Sequence, residues 1–281
     1  MTDFLLYLIQ VIPLAFIIGI ATACIGYTAW AIIVPLAFVG FGLGIFDAIV
    51  ISLLIDFVNS LILTTTYSRQ DKVDFKQGSK WGLIAIIGAI SGAFLAVILL
   101  TQFEDLLRGS IGYAMFLLAA FFIYRGYNIG KKDKKLGETQ LAENPKTPLS
   151  KNMIITIMIV GFLISGFLSG LIGMGSGTNY TLLFLFLYGK EKGFDTLRSA
   201  GTGNYIMCIV TISLVIFFSA FQLVNFSDIG PYLIASLIPA AVGTIIGASI
   251  ALRISESKLN YLVGVTIFIA ALAGSIQSVI L

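Results

Sequence analysis

Runs of about twenty apolar residues recur along this chain with almost nothing charged inside them. That repetition limits the possible folds more than any motif does. A run of this length spans the hydrocarbon core of a bilayer as a helix, and hydrocarbon admits only structures that satisfy their own backbone. The composition agrees: 58% of the residues are hydrophobic and 11% are charged. Soluble domains carry about 25% charged residues, so this chain has too few to cover a surface in water. The expected class is an all-α polytopic membrane protein.

Ten apolar segments can be drawn, at 4–24, 28–43, 46–66, 81–101, 107–125, 153–172, 178–188, 197–221, 230–252 and 259–280. The first is not expected to be a cleavable signal, because no positive residue precedes it and it is long for such a segment. Between the fifth and sixth lies KKDKKLGETQLAENPKTPLSKN, polar and without a helical stripe, which reads as a linker. The predicted organisation is a membrane repeat over 1–127, a linker over 128–152 and a second membrane repeat over 153–281.

Segments 28–43 and 178–188 are short for a crossing, and Pro35 interrupts the first. Charge decides how to treat them, since basic residues collect on the cytoplasmic side. If both cross, every one of the 17 Lys and Arg except Arg108 falls on one side. If both turn back, Lys190, Lys192, Arg198, Arg253 and Lys258 join Arg108 and the bias is lost. The first arrangement puts the linker in the cytoplasm, both termini outside, and five crossings in each half. Two copies of an odd-numbered unit must face opposite ways. Ile25-Gly26 matches Ile172-Gly173, Phe46-Asp47 matches Phe194-Asp195, and Gly92 and Gly112 match Gly243 and Gly264, in common order. The expectation is two inverted repeats of about five segments, with broken or short helices at the centre.

Such repeats place a binding site near the midplane, where interrupted helices expose backbone N–H groups. LIGMGSGTNY (171–180) has that character. Gly173, Gly175 and Gly177 allow close backbone approach, while Ser176, Thr178 and Asn179 supply neutral donors suited to an anion. Gly166 and Gly170, with Ser165 and Ser169, read instead as close helix packing. A second small-polar stretch, Arg198 to Asn204, offers Gly201, Thr202 and Asn204; there Ser199 reads as a cap and Arg198 as a side chain reaching headgroups.

In the first half the matching stretches are CIGYTAWAIIVP (24–35) and ISLLIDFVNS (51–60). They place Gly26–Thr28 opposite the second break and align Asp56 with Asn204. Asp56 lies near mid-bilayer with no Lys or Arg at matching depth. Ionisable groups there are costly and mark pathways or partners. Three readings stay open: a carboxyl protonated at rest, a cation ligand, or a proton carrier, with a neutral carboxyl hydrogen-bonded to Asn59 or to a neighbouring helix as the bland alternative. Asn59 follows at i+3 on the same face. Thr64, Thr65 and Thr66 read as backbone-satisfying, Asp47 and Asp195 as caps, and Trp81 with several tyrosines as an interfacial belt.

The composition also excludes. With no histidine, a metal or haem cofactor is not expected, and proton coupling would have to use carboxylates. Cys24 and Cys208 sit in apolar runs and read as small hydrophobes. Basic residues are scattered over short hydrophilic segments, so nucleic acid is not an expected partner. No nucleotide-binding motif occurs, and Ser176 or Cys208 as a nucleophile would lack a base.

Two related halves, a glycine-rich break, a Gly-Thr motif one segment later and a charged linker together resemble the TauE/SafE family of sulfite and organosulfonate exporters. The most specific pieces are GLIGMGSG (170–177), GFDTLRSAGTGN (193–204) and IPAAVGTIIGASIALRIS (238–255). The resemblance implies a secondary transporter of a small anion: sulfite, a sulfonate or an organic acid. By position it implies Gly173, Gly175, Gly177, Thr202 and Asn204 as site residues, with Gly26, Ser52 and Asp56 as counterparts. Tyr27, Thr28 and Ala29 stand where the family tends to have glycines, and Asp56 replaces a neutral residue. A carboxylate there disfavours a dianion unless it is protonated or holds a cation, and so fits coupling to H⁺ or Na⁺. The alternative is an anion-selective channel, since Gly- and Thr-rich breaks also line pores.

Overall fold

The computed structural model describes residues 2–25, 28–102, 150–188, 194 and 196–250, with isolated positions between 120 and 127 and at 265 and 268. Every element among them is helical. In chain order these are α1 (Thr2–Ile25), α2 (Trp30–Pro35) running on as a π-helical turn (Leu36–Gly40), α3 (Ile45–Ser68), α4 (Phe75–Gln102), α5 (Lys151–Ile172), α6 (Gly177–Leu183) with its own π-helical turn (Phe184–Tyr188), α7 (Thr196–Ala220) and α8 (Phe226–Ile250). Among the described residues six helices are long and apolar enough to cross a membrane: α1, α3, α4, α5, α7 and α8. Segments 107–125 and 259–280 and nearly all of the linker lie outside the described residues.

Helix ends follow local chemistry. Ser150 caps α5 by accepting from Met153 N–H at 3.3 Å, so the helix starts at Lys151 and the last two residues of the expected linker are helical. Asp74 caps α4 by accepting from Gln77 N–H at 3.0 Å. Asp47 lies inside the first turn of α3 and not before it: Gly44 holds the N-cap position, and the Asp47 carboxylate beside it puts negative charge at the helix start. Thr65 and Thr66 bond back to the carbonyls of Leu61 and Ile62, as expected.

The packing is paired. α1 lies along α8 and α4 along α5, while α3 crosses α7; α3 also meets α8, α4 also meets α7, and the short helices α2 and α6 pack on α3 and α7. The list maps onto itself when the first four helices are exchanged for the last four. Small residues make the two outer seams. A Cβ on Gly166 or Gly170 would enter the backbone at Ala85 and Ala89 of α4, and one on Gly19 or Gly243 would enter the α1–α8 seam. α3 and α7 form the centre, with 67% and 56% of their most apolar windows buried against 28–39% in the other four. The outward face of α4 shows Leu83, Ile87, Phe94 and Ile98, as lipid exposure requires.

Trp81 departs from the expected belt. It is 1% exposed, stacks on Phe162 at 5.4 Å, and donates from Nε1 to Tyr188 Oη at 3.3 Å. Burial with a satisfied indole N–H makes it part of the core. Tyr124 and Tyr127 are exposed, as a belt requires.

Candidate functional site

The two interruptions expected from the sequence meet at the centre of the molecule. The chain leaves α5 at Gly173, whose φ of +75° is the left-handed conformation that ends a helix and is costly for other residues. It then runs free to α6. Ser176 holds this turn: its Oγ donates to Ser165 O at 2.8 Å and lies 2.7 Å from Ser169 Oγ. Ser176 therefore fastens the break to α5 and gives α6 no side-chain cap.

Gly175 carries the break into the first half. Its N–H donates to Thr28 Oγ1 at 3.0 Å. Thr28 Oγ1 in turn donates to Asp56 Oδ2, and Asp56 Oδ1 accepts from Ala29 N–H at 2.8 Å. Asp56 is 0% exposed. One carboxylate on α3 is thus held by the start of α2 and linked to the second break through the Thr28 hydroxyl, with the Gly175 backbone itself close to the carboxylate. Its partners are Thr28, Ala29 and Gly175, with no charge among them. A Cβ on Gly175 would collide with this carboxylate and with Met207 Cε, so glycine is required here by proximity.

Ser52 and Asn59 fall on the same face of α3 as Asp56, four residues before and three after. Both are fully buried, and neither Ser52 Oγ nor either amide atom of Asn59 has a hydrogen-bond partner. Asn59 is therefore not the partner of Asp56, as one reading of the sequence had it. On α7, Asn204 donates from Nδ2 to Ala200 O at 2.9 Å, while its buried Oδ1 has no partner and lies beside Gly177. Buried polar atoms left without partners on α3 and α7 are expensive unless something binds or hydrates them.

Other expected site residues are placed elsewhere. Thr202 accepts from Asp74 N–H at 3.0 Å, and Gly201 packs against the carbonyl of Lys72. These fasten the start of α7 to the turn before α4. Arg198 pairs with Asp74 at 2.9 Å and sits over the Phe194 ring, and Ser199 is buried in the first turn of α7 rather than at its cap. Asn179 lines an open groove of about 460 Å³ with Ile157, Gly161, Ile164 and Leu187. Thr178 is half-buried. Gly26 and Asp195 lie outside the described residues.

Sequence reasoning missed Ala29, which acts through its backbone, and Met207, which packs on both Gly175 and Gly177. A methionine within an apolar run carries no signal of its own. Among the described residues no group of three or more His, Cys, Asp or Glu could hold a metal.

Fold and site together define a polytopic helical membrane protein with one buried carboxylate where two broken segments meet. Residues 11–274 match the model of the sulfite exporter TauE/SafE family, and the chain belongs to that family. It is similar to the probable membrane transporter protein YjnA of Bacillus subtilis (strain 168), with 23% identity over 274 residues covering 94% of this chain and 98% of the relative. No solved structure matches.

Proposed function

We propose that this protein is a secondary transporter of a small anion: sulfite, an organosulfonate or a related organic acid. It works in the cell membrane by alternating access, with uptake or release coupled to H⁺ or Na⁺. Its units are two inverted repeats, 1–127 and 153–281, joined by a cytoplasmic linker at 128–152. The exchange symmetry of the helix pairings supports that architecture.

The observation that carries the reading is Asp56, a carboxylate buried among neutral partners where both breaks converge. The surroundings offer neutral donors, the Ser52 hydroxyl and the Asn59 amide N–H, that suit an anion, and the free Asn204 Oδ1 adds an acceptor for a donor group or a cation. An ionised carboxylate opposes an anionic ligand. At about 5 Å and an effective dielectric of about 20, the repulsion is roughly 3 kcal/mol, or about a hundredfold in affinity. A proton or Na⁺ bound at Asp56 removes it. That differential is a coupling free energy between cation and anion, reciprocal by linkage.

Proteoliposomes test the reading. Labelled sulfite or a small sulfonate should accumulate against its gradient under an imposed pH or Na⁺ gradient. Unlabelled substrate inside should drive counterflow. Flux that only dissipates the substrate gradient, without counterflow, identifies a channel and refutes the proposal.

A further inference from the structure

Thr28 has one hydroxyl hydrogen and two acceptor lone pairs, and all three are engaged. The hydrogen goes to Asp56 Oδ2. The lone pairs take Gly175 N–H at 3.0 Å and Trp30 N–H at 3.3 Å. Gly175 belongs to the second break, Thr28 and Trp30 to the first, and Asp56 to α3. This hydroxyl therefore joins three segments, and donating to a carboxylate makes it a better acceptor for the two amides.

Neutralising Asp56 weakens this arrangement, because the bonds accepted by its two oxygens lose their charge assistance. Thr28 Oγ1, donating to a neutral carboxyl, is then a poorer acceptor for its two amides. A proton on Oδ2 that points at Thr28 goes further: three donors compete for two lone pairs and one amide must leave. Trp30 N–H is held locally, two residues along the chain, whereas Gly175 N–H comes from the opposite half. In either case the second break is held to α3 less tightly.

We infer that Thr28 is the positioning residue through which the charge on Asp56 holds the second break at Gly175, so that neutralising Asp56 frees that backbone amide. The inference rests on the proposed coupling role of Asp56. It adds how the first half tells the second that the cation has arrived, and it supplies an N–H donor to the site as the carboxylate loses its charge.

Most titratable groups on the elements packed around Asp56 are engaged elsewhere. Tyr7 lies 2.7 Å from Ser236 Oγ, with Tyr232 edge-on to it. Tyr180 stacks on Phe162, and its buried hydroxyl, beside Ser169 and Ser176, has no hydrogen-bond partner. Cys208 lies against Ser60, Tyr205 against Ser79, and Arg198 and Asp228 pair with Asp74 and Asn225.

Hydrogen–deuterium exchange of the whole protein in micelles, read on peptides covering 171–180, tests the link. From about pH 9 to about pH 5, where exposed carboxylates stay ionised, protection there should fall roughly tenfold after correction for intrinsic rates, the worth of one charge-assisted hydrogen bond. Asp56→Asn and Thr28→Val should be poorly protected at both pH values, while Thr28→Ser should behave as wild type. Peptides from the α4–α5 seam should not change. Unchanged protection in the wild type, or a pH response that survives in Thr28→Val, overturns the inference. If Thr28→Val does not fold, the wild-type pH series and Asp56→Asn decide it. The readout needs no substrate and no gradient. Normal coupled uptake by Asp56→Asn would therefore refute the transport reading separately.

Discussion

Gly175→Ala isolates the contact on which the site is built. The new methyl would lie 2.6 Å from Met207 Cε and 3.0 Å from Asp56 Cγ, and closer still to one carboxylate oxygen, where ordinary contacts are 3.4–4 Å. Met207 can yield cheaply, because its end is flexible. Asp56 cannot, because Thr28 and Ala29 hold both its oxygens. Moving the carboxylate gives up at least one hydrogen bond to a charged group, about 1.5–3 kcal/mol, on top of overpacking of about 1–3 kcal/mol. The expected loss is about 2–5 kcal/mol. In an Asp56→Ser background the side chain is shorter and only Met207 must move, so the penalty should shrink to about 1 kcal/mol. The cycle would be read from thermal unfolding of the purified protein in detergent, with monodispersity as a check. A Gly175→Ala protein as stable as wild type, or one equally destabilised in both backgrounds, refutes the claim that Gly175 abuts the carboxylate.

Gly170→Ala should prevent stable folding, because its Cβ enters the backbone at Ala89 where nothing flexible can yield, whereas Gly230→Ala has open space and should be neutral or stabilising by about 0.5–1 kcal/mol; melting curves compare the two. Arg198→Ala should cost less than about 1 kcal/mol in the same assay, since the ion pair with Asp74 is partly exposed at 36% and 19%. Thr202→Val should cost about 1 kcal/mol, because it leaves the Asp74 N–H without its acceptor. With native cysteines replaced, Ser227→Cys should be labelled by an impermeant thiol reagent from outside and Gln70→Cys only from inside. Labelling of both from one side defeats the inverted arrangement.

The membrane class was legible because it depends on apolar length alone, and the break at 173–177 because its glycines are crowded with Ser176, Thr178 and Asn179, whereas the seam glycines sit in apolar helix. Asp56 stood out for the same reason: a carboxylate at mid-depth requires an explanation. Its partners were hidden. Ala29 contributes only a backbone N–H, and Thr28 looks like any hydroxyl until Gly175 is brought beside it by folding. Trp81 was assigned to the interface because its place near a segment end looks the same whether the ring faces headgroups or Phe162. Asn179 and Ser176 share one polar stretch, yet one lines an outer groove and the other locks a turn, since short helices redirect neighbouring side chains to different faces. Met207 carries no polar signal, and only its contact with Gly175 and Gly177 reveals its place.

The central claim is that Asp56 couples a cation to the anion. Asp56→Asn keeps the side chain's shape and removes its charge. Reconstituted into proteoliposomes, it should lose accumulation driven by a pH or Na⁺ gradient while retaining counterflow of labelled substrate. Accumulation equal to wild type under the same gradient would contradict the account.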